Sequence, residues 1–472
     1  MINHSTLYID GKWVVPAEPG DITVINPATE QILGHAVSGG VSDVDRAVAA
    51  AREAFPGWSQ RSAADRREAV LGFAAALERR SGEMAELLTA EVGAPLSLAR
   101  DRQVPGPIAQ LRLAADNAEA VLAAVPVGNS QVFRAAAGVV AAIAPWNFPL
   151  LLGMNKIAPA LAVGCTVVFK PSEVTPLHAF LLAEIAHDSG LPAGVLNLVT
   201  GSGAVVGEAL AGHPGVDVVS LTGSTAAGRK VAAAATGTIK KVHLELGGKS
   251  ASVVLAGADL RMAVEATVEQ CFINSGQTCL AWSRLLVPAG VASEAAQIAA
   301  TRADRYVLGD PLDPATELGP VVSVTQRARV RAAIDRAIRD DARLVTGGTA
   351  APDGLNTGYY VRPTVFADVD PRSDLGQEEV FGPVLAVIGY NTEADAVAIA
   401  NGTPYGLHGA VFAANNDQAT RVARQLRTGA VDINGGTLNL EAPFGGYKQS
   451  GVGRELGRWG LEEYTEITSL QY

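Results

Sequence analysis

The sequence predicts an α/β protein that contains a doubly wound, mostly parallel sheet. Short runs rich in valine, leucine and isoleucine alternate with helical segments from residue 138 onward. These runs are apolar throughout, which is typical of parallel strands covered by helices on both faces. Hydrophobic residues make up 48% of the 472 residues and charged residues 18%, a composition that supports two or three globular domains.

Charge and cysteine content exclude several classes of partner. The net charge is −11 and no strong basic run occurs, so we expect neither nucleic acid nor an anionic membrane surface as a partner. The uncharged stretch 135–155 contains Pro145, Asn147 and Pro149, which would break a membrane-spanning helix. Three cysteines, no metal-ligand spacing and no signal-peptide pattern predict a cytoplasmic protein without a metal.

The first third of the chain predicts a hairpin followed by helices. Residues 7–15 form two apolar runs around Asp10-Gly11, a pair that favours a tight type I′ turn. From Ser42 the apolar residues recur at helical spacing. We therefore predict helices that begin near 42 and span 66–80, 82–92 and 101–124.

The middle third carries the strand–helix alternation that defines the fold class. Helices are predicted at 155–161, 176–189, 204–211 and 226–235. Strands are predicted at 139–143, 166–169, 195–199 and 216–221. Such sheets bind ligands at the carboxyl ends of their strands.

A second α/β region follows Lys249. It comprises predicted helices at 260–272, 324–339 and 393–400, and predicted strands near 345 and at 384–388 and 410–413. The tail, 462–472, alternates weakly and resembles a strand that pairs with a sheet.

Four polar stretches follow predicted strands, where a cofactor cleft requires them. They are P-W-N-F-P at 145–149, K-P-S-E at 170–173, G-S-T-A-A-G at 223–228 and E-L-G-G-K at 245–249. A glycine turn that opens a helix presents backbone amides to a phosphate. Ordinary strand–helix connections also carry glycine, so each stretch alone fits either role.

The stretch C-F-I-N-S-G-Q-T-C at 271–279 contains the candidate nucleophile, Cys279. Asn274, Ser275 and Gly276 interrupt the helical pattern and favour a tight turn. A thiolate after such a turn is a strong nucleophile. By itself the stretch fits equally a cysteine that packs as a small hydrophobic residue.

Other polar residues in these stretches have both a catalytic and a structural interpretation. Asn147 lies between prolines and aromatics, where its amide can donate to an oxyanion or simply stabilise a turn. Glu245 is either a general base or an exposed carboxylate at a strand end. Lys170 and Glu173 fit ribose binding, with the carboxylate favouring NAD over NADP, or a solvated ion pair.

Taken together, these stretches resemble the aldehyde dehydrogenase superfamily along essentially the whole chain. The matching motifs are the four above with N-S-G-Q-T-C at 274–279, E-E-V-F-G-P at 378–383 and P-F-G-G-Y-K-Q-S-G-x-G-R-E at 443–455. Seven motifs in family order make the resemblance specific. It implies a Rossmann-like cofactor domain, an α/β catalytic domain and a small β bridging region.

The resemblance also implies a mechanism. Cys279 attacks the aldehyde, Asn147 and the Cys279 N–H hold the oxyanion, hydride passes to the nicotinamide, and Glu245 activates the water that hydrolyses the thioester. The presence of Glu245 argues against the coenzyme-A-acylating branch. The cofactor, NAD with NADP possible, is expected to contact Trp146, Lys170, Ser172, Glu173, Gly223, Ser224, Gly247, Glu379 and Phe381.

The family's substrate tunnel maps onto mostly apolar residues of this chain. They are Phe148, Leu151, Leu152, Asn155, Ile273, Thr278, Leu280, Leu438 and Phe444. Relatives that act on carboxylate-bearing semialdehydes often carry arginine at the position of Ile273, so we expect apolar aliphatic or aromatic aldehydes. Asn155 stands where many relatives have a large aromatic residue, which predicts a wider tunnel.

The domain organisation implied by the resemblance is discontinuous. Residues 1–117 and 137–246 would form the dinucleotide-binding domain, 247–450 the catalytic domain, and 118–136 with 451–472 an oligomerisation region of a homodimer or homotetramer. Two other interpretations remain open: a cofactor-binding structural protein without catalysis, and a cofactor-free thiol esterase.

Overall fold

The computed structural model describes residues 1–472 and contains two large sheets and two small ones. The α-helices are Val41–Ser59, Ala63–Arg79, Ser81–Val92, Leu96–Leu98, Pro105–Leu122, Pro149–Val163, Leu177–Asp188, Glu208–Gly212, Thr225–Ala235, Leu260–Phe272, Ala292–Ala303, Val324–Arg339, Asp374–Gln377, Glu393–Asn401, Asn416–Ala423 and Gly457–Glu462. Their caps follow local sequence: Asp259, for example, accepts a hydrogen bond from the Met262 N–H and starts the helix Leu260–Phe272.

The larger sheet has eight strands and a doubly wound centre. Its spatial order is Gly451–Val452, Lys241–Glu245, Val218–Thr222, Val139–Ile143, Thr166–Lys170, Leu196–Leu198, Leu7–Ile9 and Lys12–Val14. The five strands from Lys241–Glu245 to Leu196–Leu198 are parallel. The order reverses between Val139–Ile143 and Val218–Thr222, which creates a crevice beyond their carboxyl ends. The predicted α/β fold class is therefore confirmed.

The second large sheet has seven strands. Its order is Arg343–Thr346, Thr364–Ala367, Val384–Tyr390, Arg284–Pro288, Ala251–Val254, Gly409–Phe412 and Asp432–Ile433. All neighbours are parallel except the first pair. The central strand residues are buried, and separate apolar clusters fill the two faces of the sheet.

Two three-stranded sheets complete the fold. One contains Ile2–His4, Ile32–Ser38 and Gly20–Ile25 in that order. The other joins the chain end to an internal hairpin, with the order Thr465–Gln471, Ser130–Ala136 and Val125–Val127. The weakly alternating tail is thus a strand.

The structure differs from the predicted domain limits at two places. Gly451 and Val452, assigned to the oligomerisation region, pair with Glu245 and Leu244 in the eight-stranded sheet. The region's other predicted segment, 118–136, begins inside the helix Pro105–Leu122. Both differences depend on backbone hydrogen bonds, which the positions of sequence motifs do not reveal.

Candidate active site

A cleft of about 440 Å³ opens at the point where the strand order of the eight-stranded sheet reverses. Residues from both large sheets line it, because the loops that follow strands in each sheet face each other there. The predicted site residues that the cleft brings together are Trp146, Asn147, Leu152, Gly223, Ser224, Gly247, Cys279, Glu379 and Phe381.

The turn before Cys279 has an unusual backbone. Asn274, Ser275 and Gly276 have φ values of 52°, 56° and 72°, all left-handed. Asparagine and glycine tolerate this region, and glycine is required at 276 because a Cβ there would lie 2.1 Å from the Gly382 carbonyl oxygen. The Ser275 hydroxyl donates to the Gly319 carbonyl oxygen at 2.7 Å, which holds the turn. The N-S-G motif thus turns the chain sharply at the end of the preceding helix.

Asn147 is tied to this turn from the opposite side of the cleft. Its Nδ2 donates to the Gln277 carbonyl oxygen at 3.0 Å, and Asn274 Nδ2 donates to the Asn147 carbonyl oxygen at 2.9 Å. Asn147 is 3% exposed. A side-chain amide has two N–H groups, so the second one remains available to a ligand in the cleft.

The surroundings of the Cys279 thiol favour its protonated form. Burial and the carboxyl groups of Glu379, Glu245 and Glu455 raise its pKa, while its own backbone N–H acts in the opposite direction. The thiolate is the nucleophilic form, so burial and the neighbouring carboxyl groups act against its formation.

Glu245 lies at the end of its strand with neither carboxylate oxygen hydrogen-bonded. Burial and the charge of Glu455 raise its pKa well above the ordinary value, whereas Lys156 and Arg454 favour the ionised form. Gly445 leaves room for the side chain, since a Cβ there would lie 2.6 Å from Glu245 Oε1. A buried carboxyl group with a raised pKa and no fixed partner suits proton transfer.

A buried ion pair adjoins Glu245. Lys156 Nζ lies 2.7 Å from Glu455 Oε1 and donates to the Thr222 hydroxyl at 2.6 Å. Burial raises the pKa of Glu455, but the Lys156 ammonium, His243 and hydrogen bonds from Lys156 and Asn155 outweigh it and hold that pKa below its usual value. Of the two neighbouring carboxyl groups, Glu455 is therefore the one whose environment favours the ionised form.

Glu379 closes the cleft on the side of the seven-stranded sheet. Burial raises the pKa of Glu379 to about 7, although the Gly248 N–H and the charge of Lys249 both act to lower it. The Gly248 N–H donates to Oε1 at 3.0 Å, and a Cβ on Gly247 would lie 2.4 Å from Oε2. The two glycines thus let backbone approach the carboxylate closely.

Three of the predicted cofactor residues lie outside the main cleft lining. Lys170 is 2% exposed and its Nζ is 3.5 Å from Glu173 Oε2. Burial lowers the pKa of Lys170, while Glu173 opposes this shift. The Ser172 hydroxyl accepts from the Val174 N–H at 3.2 Å and so stabilises the turn. Lys170 and Glu173 form a polar pair at the end of their own strand.

Of the predicted tunnel residues, Leu152 lines the cleft that contains Cys279. Phe148 and Thr278 are buried, Ile273 is partly buried, and Leu151 packs against Gly106. Phe444 forms a small cluster with Leu407 and Leu456, and Cys279 and Leu280 pack against it. Leu438 is 47% exposed and lies at the surface.

Asn155, which was predicted to widen the tunnel, is held in a buried polar network instead. Its Nδ2 donates to Glu455 Oε2 at 2.5 Å, and its Oδ1 accepts from Gln110. It lines a separate cavity of about 30 Å³ rather than the cleft that contains Cys279. Its amide forms hydrogen bonds with neighbouring buried polar groups. Comparing residue 155 with the aromatic residue that relatives carry at this position does not reveal those bonds.

Sequence patterning did not place the helix Val324–Arg339 at the cleft. Gln326, Arg329 and Arg336 line it, and Gln326 Nε2 donates to the Phe381 carbonyl oxygen at 2.8 Å. The helix was predicted, and its arginine-rich face was the available signal. That face resembles an ordinary solvated helix until the neighbouring sheet is placed.

None of the helices combines the length and apolarity needed to cross a membrane. No group of three or more His, Cys, Asp or Glu side chains is arranged to hold a metal ion.

Comparisons with known proteins agree on one group. The model of the aldehyde dehydrogenase family matches residues 13–470. The chain is 45% identical to 3-succinoylsemialdehyde-pyridine dehydrogenase of a Pseudomonas species, over 100% of this chain and 99% of that protein. It is 42% identical to geranial dehydrogenase of Castellaniella defragrans, over 99% of each. A cysteine-to-alanine mutant of Pseudomonas syringae aldehyde dehydrogenase C, crystallised with NAD+ and octanal, aligns with a TM-score of 0.98 at 46% identity, covering 99% of this chain and 96% of that one.

Proposed function

Since this chain belongs to the aldehyde dehydrogenase family and is an NAD-dependent aldehyde dehydrogenase, we propose that Cys279 is its nucleophile and that it oxidises uncharged aliphatic or aromatic aldehydes. The observation that carries this proposal is the tie between Asn147 and the turn before Cys279. It supports a site where a carbonyl oxygen meets both the Asn147 amide and the Cys279 N–H.

Cys279 and Asn147 have different roles in the acylation step. Cys279 Sγ adds to the aldehyde carbon, and the free N–H of the Asn147 amide with the Cys279 N–H stabilises the oxyanion that forms. Bound NAD+ supplies the hydride acceptor that turns the adduct into a thioester. Because burial and three carboxyl groups raise the pKa of Cys279, the thiol has to release its proton to solvent water in the cleft before or as the sulfur attacks.

Glu245 serves the hydrolytic step. Its ionised carboxylate takes a proton from water, the water oxygen adds to the thioester carbonyl, and the C–S bond breaks to return Cys279. The raised pKa of Glu245 makes it a stronger base than a free carboxylate, at the expense of a smaller ionised fraction at neutral pH. Lys156 and Arg454 offset part of that loss.

The residues present fit a dinucleotide. The helix Thr225–Ala235 starts at the cleft with Ser224 as its cap, and its first amides suit a pyrophosphate. Glu379 would accept hydrogen bonds from the hydroxyls of one ribose. Lys170 and Glu173 would bind the hydroxyls of the other ribose. The exposed carboxylate of Glu173 supports NAD over NADP, because it would repel a 2′-phosphate.

The substrate class rests on apolar surroundings. Ile273, Leu280 and Phe444 offer no cation for an anionic aldehyde. The relatives' names point the same way, since geranial, octanal and the pyridine-bearing semialdehyde all lack a carboxylate. We therefore infer that medium-length neutral aldehydes are preferred.

The decisive experiment measures NADH formation with a panel of aliphatic, aromatic and carboxylate-bearing aldehydes, each with NAD and NADP. We expect neutral aldehydes of medium length with NAD to give the highest kcat/KM. A clear preference for a dicarboxylic semialdehyde would refute the substrate class. NAD binding without turnover of any aldehyde would favour a cofactor-binding structural protein, and ester hydrolysis alone would favour a thiol esterase.

Assembly into a homodimer or homotetramer is proposed from the small terminal sheet. In the strand Thr465–Gln471 all residues but the first are exposed, including Ile467 and Leu470. One edge of this strand pairs with Ser130–Ala136 and the other is free. Light scattering after size exclusion tests the proposal, and a monomer would contradict it.

A cytoplasmic location is also proposed, because three free cysteines suit a reducing compartment.

A further inference from the structure

His243 lies two residues before Glu245 on the strand Lys241–Glu245, so both side chains point to the same side of the sheet. The two residues are 1% and 2% exposed. His243 Nε2 is 3.7 Å from Glu245 Oε1, and neither atom has a hydrogen-bond partner. Two unpartnered polar atoms that face each other in the interior call for an explanation.

A hydrogen-bonded chain fixes the tautomer of His243. The Tyr464 hydroxyl donates to Ser220 Oγ at 3.1 Å, and Ser220 Oγ lies 3.0 Å from His243 Nδ1. A serine hydroxyl has one hydrogen and two lone pairs. Ser220 Oγ accepts from Tyr464, and Nδ1 is the only acceptor that it contacts, so its hydrogen goes to Nδ1. Nδ1 is then an acceptor, and the ring proton resides on Nε2, directed at Glu245.

The imidazole stays neutral at physiological pH. Burial lowers the pKa of His243 to about 4, with Lys156 and Arg454 acting in the same direction and Glu455 against them. The titratable and charged groups around the ring are Glu245, Lys156, Arg454, Glu455, Glu463 and Tyr464. His243 is thus a constant N–H donor rather than a pH switch.

We propose that His243 is a positioning residue for Glu245: held in the Nε2–H tautomer by Ser220 and Tyr464, it donates to the carboxylate and keeps it in the ionised form that deprotonates water. The proposal rests on the proposed role of Glu245 as general base. At 3.7 Å the two atoms are beyond hydrogen-bonding distance, so the proposed hydrogen bond requires the carboxylate, which no hydrogen bond restrains, to turn towards Nε2. Acylation of Cys279 does not require this donor.

A structural role predicts something different. If His243 only filled space, an apolar residue of similar size would serve equally well. If Glu245 were instead the donor, Nε2 would be the acceptor and the ring proton would lie on Nδ1.

The test compares His243→Leu, which removes the donor, with His243→Gln, which retains an amide N–H near the position of Nε2. The NADH burst reports acylation, and the steady-state rate reports hydrolysis. Hydrolysis of 4-nitrophenyl acetate compares the same two steps without the cofactor. Its initial burst of 4-nitrophenolate reports acylation, and the turnover that follows reports hydrolysis. Circular dichroism and thermal melting confirm that both variants fold.

We expect His243→Leu to keep its burst while the acidic limb of the hydrolytic rate moves up by about one pH unit, a tenfold loss near neutral pH. The sign follows because losing a donor to the carboxylate raises the Glu245 pKa and shrinks its ionised fraction. His243→Gln should follow the wild-type profile. When Ser220→Ala is added to the His243→Leu variant, the limb should shift no further, because Ser220 acts through the ring.

Nitrogen-15 NMR of histidine-labelled protein reads the tautomer directly. The resonances lost in His243→Gln identify the ring, and we expect a proton on Nε2 that is unchanged between about pH 5.5 and 9. A proton on Nδ1, or a His243→Leu profile that matches the wild type while the wild type oxidises aldehydes, would overturn the proposal. A wild type inactive on every aldehyde would instead overturn the proposed function.

Discussion

The side-chain amide of Asn147 donates to the main-chain carbonyl oxygen of Gln277, two residues before Cys279, at 3.0 Å. Asn274 returns a hydrogen bond to the Asn147 carbonyl oxygen at 2.9 Å. The loop after one strand of the eight-stranded sheet is thereby fixed against the turn before Cys279. With the loop held in this way, the free N–H of the Asn147 amide would need no rearrangement to donate to the proposed oxyanion.

Replacing Asn147 by alanine tests this arrangement. We expect kcat to fall by about 10²–10³-fold, because one oxyanion donor is lost. NAD affinity, measured by calorimetry, should change little. A variant with unchanged kcat would contradict the assignment of Asn147 as an oxyanion donor.

The two cysteines of the motif should behave oppositely. Cys279→Ala should lose dehydrogenase activity by more than about 10³-fold while it still binds NAD. Cys271 is fully buried and its Sγ contacts the Val384 carbonyl oxygen at 3.5 Å. Cys271→Ala, the matched control, should stay active and lose roughly 1 kcal/mol of stability. Equal loss of activity in both variants would mean that packing, not nucleophilicity, explains the effect.

Glu245→Gln separates the two half-reactions. We expect a normal NADH burst and a steady-state rate lower by about 10²–10⁴-fold, since only hydrolysis needs the base. In the wild type the raised pKa of Glu245 places the acidic limb of the rate above the range of a free carboxyl group, and the rate increases as pH rises through that limb. Loss of the burst itself would show that Glu245 also acts in acylation.

Glu173 is expected to discriminate between the two dinucleotides. Glu173→Gln removes the charge that faces a 2′-phosphate, so kcat/KM for NADP relative to NAD should rise by about tenfold. Glu294→Gln, an exposed site with the same change in net charge, controls for long-range electrostatics. If both variants shift the ratio equally, Glu173 does not contact the ribose.

Glu379 should make NAD binding depend on pH. Its pKa is raised to about 7 by burial, and the ionised carboxylate is the better acceptor for ribose hydroxyls. Falling pH protonates it, so Kd for NAD should rise up to tenfold per unit below about pH 7 and level off above. Calorimetry at several pH values measures this. Glu379→Gln should bind more weakly at high pH and show no such slope, and an unchanged slope would assign the dependence to another group.

Local sequence patterns were enough to predict several elements and the family. Apolar periodicity located the helix Leu260–Phe272 and the strand Val139–Ile143 at their observed bounds, because the pattern that marks each of them lies in consecutive residues. The motif N-S-G likewise predicted a turn, because asparagine and glycine tolerate a left-handed backbone.

Contacts between distant residues were visible only in the folded chain. The packing of the whole fold determines them. It directed Asn155 to Gln110 and Glu455, placed Gly451–Val452 in the eight-stranded sheet, and brought the helix Val324–Arg339 to the cleft. It also set Ser220 and Tyr464 behind His243, which local periodicity has no means of reporting. Burial and pairing arise when segments far apart in the chain pack together, and these contacts in turn set the pKa of each buried carboxyl group.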